Sequence, residues 1–470
     1  VTDKELRLDE RLLRRINAYL ERIRSPETPV TGFLPPAELR SRLDLELPVN
    51  GCSLDELYRI IDEYLEHAVG TGHTQFFNQL WSGFSLPGFL GDVIASLTNT
   101  SMYTYEVAPV ATIMEQELIN KMGNLAGFPE PEGLFLTGGS NGNLQAMMIA
   151  RNLAEPEMKR NGYSGSTRLA AFVSEEAHYS FEKAANILGI GMDHVVKVAC
   201  DRTGRMRAEE LERAILASRK AGEEPFFVGA TAGTTVKGAY DPLDRISPIA
   251  RRHGLWLHVD GSLGGSALLS PRHRGLLKGL ETADSFVWNA HKLMGLPLIC
   301  SVFLLRKPGR LLDTNSVAGT DYIFHEEGFG AHDLGPKSLQ CGRRVDALKL
   351  WLSWKYYGDR GYAERIERFF SLAEQAEEIV RITPELELMA PRSSITVCFR
   401  HRPSHGRDLN RFNLDLRERL AKSGKCLVNY ARLDGEVCIR LVLAHHELQP
   451  EDVDLYFRHV MGEAERLLNG

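Results

Sequence analysis

Apolar residues recur at helical spacing through the first part of the chain. Leu12, Ile16, Leu20 and Ile23 make one stripe, and Leu57, Ile60, Ile61, Tyr64 and Leu65 another, each on an otherwise charged segment. A connector carrying Pro26, Pro29, Pro35 and Pro36 separates them. A short helical arm cannot bury its own stripe, so residues 1–75 are expected to pack on another domain or subunit. From Leu169 to Leu305 the pattern changes. Short apolar runs (Leu169–Val173, His194–Val198, Phe226–Ala230, Leu255–Val259, Ser285–Trp288 and Cys300–Leu305) alternate with segments of helical period at 205–222 and 242–253. Nearly continuous apolar strands belong to a parallel sheet covered on both faces. With Leu134–Thr137 as an earlier strand, residues 76–335 read as a large α/β domain. Asp313–Pro336 is a glycine-rich polar loop carrying Tyr322 and Phe324, and a loop this long is usually functional or mobile. A helix with Trp351 and Trp354 follows. Helices at 362–382, 408–422 and 449–467 and strands Ile395–Phe399 and Val437–Val442 then make 336–470 a small α+β domain.

Chemistry gathers at the strand ends. Ser285–Trp288 runs into Asn289, Ala290, His291 and Lys292. A lysine at a buried strand end is costly unless it is paired, neutral or covalently used. Alone this is weak, because most lysines are simply solvated. Leu255–Val259, however, ends in Asp260. Ligands of open α/β sheets sit beyond the carboxyl ends of strands, so Asp260 and Lys292 are candidates for one site. Between Leu134–Thr137 and a helix from Leu144 to Leu153 lies Gly138-Gly139-Ser140-Asn141-Gly142-Asn143. Such a turn offers backbone N–H groups and a helix dipole to an anion, with the Ser140 hydroxyl as a further donor. It is neither GxGxxG nor GxxxxGK[ST], so it reads as a cup for one phosphate, with a plain turn as the alternative. His178 follows the strand ending at Val173, and Thr231 follows Ala230. Aromatic, amide-rich stretches at 73–83 and 99–106 read as packed loops or ligand contacts. An amphipathic helix with Ile113, Met114, Leu118, Met122 and Leu125 on one face comes next.

Composition narrows the field. A chain of 470 residues is too long for one simple core. Its net charge of −6 gives no reason to expect nucleic acid or an anionic membrane as partner. No segment reads as a secretion signal, and the longest apolar run, Leu296–Leu305, is too short to span a bilayer. The 7 cysteines never form CxxC, which suits reduced thiols in the cytosol. No HExxH-like spacing suggests a metal.

A phosphate cup, a carboxylate and a lysine together match what pyridoxal 5′-phosphate needs. The lysine tethers its aldehyde, and the carboxylate keeps its ring nitrogen protonated. At an effective dielectric near 20, an ion pair about 4 Å apart gains roughly 4 kcal/mol, about three pKa units. The chain resembles the group II pyridoxal-phosphate-dependent amino-acid decarboxylases, in the branch of glutamate and cysteine sulfinate decarboxylases. The resemblance rests on FFNQL at 76–80, TYE at 104–106 with Ala108-Pro109-Val110, GGS at 138–140, HYS at 178–180, ATAGTT at 230–235, LWLHVD at 255–260, WNAHK at 288–292 and QCGRRVD at 340–346. It covers nearly the whole chain, from about Gly32.

The resemblance implies an aspartate aminotransferase-like fold of type I, with a mostly parallel seven-stranded sheet. It implies that Lys292 is the cofactor-tethering lysine and Asp260 the ring-nitrogen partner. His178 is expected to stack on the ring, Thr231 to lie near its hydroxyl, and Gly139, Ser140 and Asn289 to hold the phosphate. His291 is expected beside the tethered group. Gln79 and Arg440 match positions that hold substrate carboxylates, Arg440 taking the α-carboxylate. Tyr322 matches a loop tyrosine that protonates Cα from the partner subunit of an intertwined homodimer. The chain also departs from the family. Gly261-Ser262-Leu263 stands where Ala-Ala-aromatic is usual, which puts Ser262 under the ring, and Ala290 replaces a proline. Trp81 is bulkier than the serine of the glutamate enzymes, and Ser101 replaces an asparagine. The last two changes favour a short acidic substrate, aspartate or cysteine sulfinate, over glutamate. The expected activity is α-decarboxylation of a small acidic L-amino acid. An aldehyde-forming or transaminating variant and a silent cofactor-binding homologue are the alternatives.

Overall fold

The computed structural model describes residues 10–163, 165, 167–325, 328–403 and 407–469. Residues 1–9 of the expected arm, 326 and 327 of the expected loop, and 404–406 and 470 of the expected small domain lie outside the described residues. The described strands, in chain order, are β1 (Phe76–Phe77), β2 (Glu132–Leu136), β3 (Leu169–Ser174), β4 (Val195–Val198), β5 (Glu224–Thr231), β6 (Trp256–Asp260), β7 (Ser285–Asn289), β8 (Ser301–Leu305), β9 (Leu386–Leu388), β10 (Thr396–His401), β11 (Leu427–Leu433) and β12 (Glu436–Val442). The chain divides into two compact units. One comprises Val1–Gly83, Leu372–Met389 and Val397–Gly470, and the other Phe84–Ser371 and Ala390–Thr396.

The larger unit is built on a seven-stranded sheet in the order β2-β8-β7-β6-β5-β3-β4. The pairs β4–β3, β3–β5, β5–β6 and β6–β7 are parallel, whereas β8 runs antiparallel to both β7 and β2. Alternate residues of each strand feed two cores, one per face. Phe172, Val228, Phe286 and Trp288 pack into one; Val173, Phe227, Val287 and Phe303 pack into the other. That two-sided burial is why these strands are apolar throughout, as the sequence predicts. The reversal of β8 was not predicted. Its cause is the short connection from Asn289 to Ser301, which has no helix to carry a parallel crossover.

The Gly-rich segment also differs from expectation. The helix starts at Gly139, not Leu144, and runs to Ala154. Asn141, Gly142 and Asn143 are therefore helical, and only the first amides remain free of intrahelical bonds. Gly142 lets this helix lie close on β7, since a Cβ there would come 2.5 Å from Val287 Cγ2. A helix at Leu86–Thr98, which sequence periodicity missed, precedes the one at Pro109–Leu125. It opens with Ser85 accepting the Gly88 N–H and proline in its first turn.

The smaller unit holds a second sheet, ordered β1-β11-β12-β10-β9. Helices Leu409–Lys422 and Pro450–Asn469 pack with it around Phe77, Leu416, Ile439 and Tyr456. In the same unit, helices Glu10–Arg24 and Leu54–His67 are joined by Arg15–Asp62 and by Arg11 and Arg15 over the Tyr58 ring. Among the described residues no helix is long and apolar enough to cross a membrane.

Candidate active site

The parallel strands β5, β6 and β7 begin at staggered positions but are paired up to their carboxyl ends. Thr231 pairs with Asp260, and Asp260 with Val287, so the carboxyl ends of β5, β6 and β7 meet along one edge. The segment after β2 and the helix it enters reach the same edge. There a cavity of about 200 Å³ is lined by Gly139, Ser140, His178, Tyr179, Thr231, Gly233, Thr235, Asp260, Ser262, Leu263, Asn289 and Lys292. Every residue expected to bind the cofactor is in that set.

Asp260 is buried at 4 % exposure. Its Oδ1 accepts the Ser262 N–H at 3.0 Å and its Oδ2 the Asn143 side-chain amide at 2.8 Å. Burial works to raise its pKa; hydrogen bonds from Ser262 and Asn143 and the charge of Lys292 outweigh it and hold the pKa below the ordinary value. Asp260 is thus a buried anion at neutral pH. His178 accepts from the Ser180 N–H at its Nδ1, and burial lowers its pKa.

The residues fit pyridoxal phosphate. The Thr231 hydroxyl and the Asn289 side-chain carbonyl are buried in the wall of the cavity with no protein partner. A Cβ at Gly139 would fall 2.2 Å from Ser262 Oγ, so that corner needs a glycine. Helix N-terminal amides, Ser140, a buried anion and a lysine therefore surround unsatisfied donors and acceptors.

Other expected residues lie elsewhere. His291 does not line the cavity; its ring is held at Cys300, whose N–H reaches Nδ1 at 3.1 Å, and burial and the Lys292 charge pull its pKa down to about 4. Ser101 accepts the Arg343 N–H at 3.2 Å. Tyr322 is 82 % exposed and borders a different cavity, of about 500 Å³, with Thr320, Ile323 and Phe324. Gln79, Trp81 and Arg440 belong to the smaller unit. There Arg440, on β12, donates to the Asn78 carbonyl at 3.2 Å, and Trp81 packs on Phe76.

The sequence places Asn143 only at the end of the backbone turn read as a phosphate cup, and gives its side chain, Ser180 and His258 no role. In the sequence His258 reads as one more member of an apolar strand. The available signal was its spacing: residues two apart on a strand share a face, so His258 and Asp260 had to point the same way.

Residues 36–402 match the family model described as the pyridoxal-dependent decarboxylase conserved domain. The chain is 40 % identical over 445 residues to cysteine sulfinic acid decarboxylase of Mus musculus, covering 92 % of this chain and 90 % of that one. It is 39 % identical over 438 residues to acidic amino acid decarboxylase GADL1 of the same species, covering 90 % and 80 %. The crystal structure of mouse CSAD superposes with a TM-score of 0.93 at 38 % identity, over 97 % of this chain and 98 % of that one.

Proposed function

This chain belongs to the pyridoxal-dependent decarboxylase family, and on that premise we propose that it removes the α-carboxylate of a small acidic L-amino acid, aspartate or cysteine sulfinate ahead of glutamate. It is a pyridoxal-phosphate-dependent amino-acid decarboxylase. The observation that carries the reading is the single cavity shared by Lys292, Asp260, His178 and the Gly139–Ser140 helix start. The acidic substrate is supported by the names of the two relatives and by Trp81 and Ser101, which differ from the glutamate enzymes.

When bound, the cofactor supplies an electron sink for the pair left behind as carbon dioxide departs. Lys292 would tether it. Asp260 would keep its ring nitrogen protonated, and His178 would cover a ring face. Ser140, Asn289 and the amide of Gly139 would hold its phosphate, Thr231 would serve its hydroxyl, and Ser262 would sit on the side opposite His178. The guanidinium fork of Arg440 suits the substrate α-carboxylate, with Gln79 for the second acid group. His291 supports the tethering loop. Tyr322, exposed in the single chain, would serve as the proton donor to Cα from the partner subunit of a homodimer. An unpartnered apolar stripe on the helix Leu86–Thr98, formed by Leu86, Leu90, Val93, Ile94 and Leu97, supports such a dimer. All the cysteines are free, which suits a reducing cytoplasm.

Amine release should be measured for aspartate, cysteine sulfinate and glutamate, with aromatic amino acids as controls and aldehyde assayed alongside. The short acids are expected to lead by kcat/KM. Faster turnover of glutamate would refute the reading of Trp81 and Ser101, and preference for aromatic acids would overturn the substrate class.

A further inference from the structure

Behind the cavity runs a buried polar chain that the reaction as described does not use. Asn143, Ser180, His258 and Ser285 are each at most 2 % exposed. His258 and Asp260, two apart on β6, face the helix Gly139–Ala154, and Asn143 on that helix spans both. Its Nδ2 lies 2.8 Å from Asp260 Oδ2 and 2.8 Å from Ser180 Oγ, and its Oδ1 lies 2.8 Å from His258 Nε2. His258 Nδ1 lies 2.9 Å from Ser285 Oγ, which accepts the Trp256 indole N–H at 2.8 Å. At the other end Ser180 Oγ lies 2.9 Å from His178 Nδ1.

We propose that Asn143 and His258 are positioning residues, which fix the proton layout around Asp260 and His178 through this one continuous chain. The direction of every bond follows from elementary chemistry. An ionised carboxylate only accepts, so the amide nitrogen of Asn143 faces Asp260 and its carbonyl faces His258. His258 must then donate from Nε2, which leaves Nδ1 to accept the Ser285 hydroxyl proton. Both amide protons of Asn143 are used, one on Asp260 and one on Ser180. The Ser180 N–H is aimed at His178 Nδ1 at 3.3 Å, so Nδ1 is an acceptor, and the Ser180 hydroxyl, whose oxygen takes an Asn143 proton, directs its own proton there as well. His178 is thereby held with its proton on Nε2. The layout leaves Asp260 with two neutral donors and its full charge. Its catalytic consequence rests on Asp260 being the partner of the cofactor ring nitrogen.

The test uses the full-length holoenzyme. Histidine-selective ¹⁵N NMR should report the Nε2–H tautomer for His258 and His178; an Nδ1–H signal for His258 would overturn the proposal. Asn143→Leu keeps the volume but removes both amide ends. It should raise the dissociation constant for pyridoxal phosphate roughly tenfold and shift the pH midpoint of the bound cofactor's visible absorbance by about one unit. His258→Gln places an amide donor where Nε2 sits and should lie within about threefold of wild type, whereas His258→Phe should resemble Asn143→Leu. Wild-type affinity and midpoint in Asn143→Leu, or equal impairment of His258→Gln and His258→Phe, would reduce the chain to packing. If Asn143→Leu does not fold, the His258 pair and the tautomer measurement decide. Asp260→Asn separates the two readings. If its cofactor affinity and the pH midpoint of the bound cofactor both match wild type, the role of Asp260 fails; if either is impaired while Asn143→Leu is not, only the chain behind it fails.

Discussion

Replacing Asp260 by asparagine keeps the side chain's shape and removes its charge. In the native protein the carboxylate is 4 % exposed and is held by Ser262 and Asn143 at 3.0 and 2.8 Å. Both donors are neutral, so they stabilise the anion without cancelling it. An opposite charge about 4 Å away at an effective dielectric near 20 gains roughly 4 kcal/mol. On the ring nitrogen of the cofactor that is about three pKa units, enough to decide whether it is protonated at pH 7. If this energy is felt mainly as negative charge develops in the ring, kcat falls about 10³-fold in Asp260→Asn. KM should change little, because the assigned partner of Asp260 is the cofactor and not the substrate. Steady-state decarboxylation with saturating cofactor measures both constants. An N-methylated cofactor, whose ring charge is permanent, should restore part of the lost kcat in the variant. A kcat within about tenfold of wild type, or a loss seen only in KM, would refute the electrostatic argument.

Gly261→Ala would place a Cβ 2.2 Å from Phe286 Cε2, so it should cost about 1–3 kcal/mol and lower the melting temperature, with Phe286→Leu recovering part; an unchanged melt would show that β7 yields easily. Tyr322→Phe, at an exposed position, should melt like wild type yet turn over at least about tenfold more slowly and release more aldehyde; unchanged products would remove Tyr322 from the reaction. Burial pulls the pKa of His258 and of His291 down to about 4. Unfolded histidine titrates near about 6.5, so as pH falls the unfolded state takes up protons before the folded one. Stability should be full above about pH 6.5 and decline toward pH 4. Melting temperatures that stay level from pH 7 to 5 would contradict the neutral, buried state of both rings.

The departure at 261–263 has a physical cause visible only in three dimensions. The ring of Phe286 on the neighbouring strand occupies the space of an alanine methyl at 261. Likewise the apolar run Cys300–Leu305 announced a buried strand but not its direction, because apolarity reports burial and nothing more. His258 shows the same limit from the other side. A histidine within an apolar strand looks like a core residue until the helix bearing Asn143 is laid across it.

The amino-acid order alone determined the alternation of strands and helices, and with it the residues at or just beyond the strand ends: Gly139, Thr231, Asp260, Asn289 and Lys292. Those features are local, since an apolar run and the polar residue that stops it are neighbours in the chain. What only the tertiary structure decided was how those ends are aligned, which way β8 runs and which donors hold Asp260 ionised. Each of these depends on strand register and helix placement, which are set by packing between segments more than a hundred residues apart, as between Asn143 and Asp260.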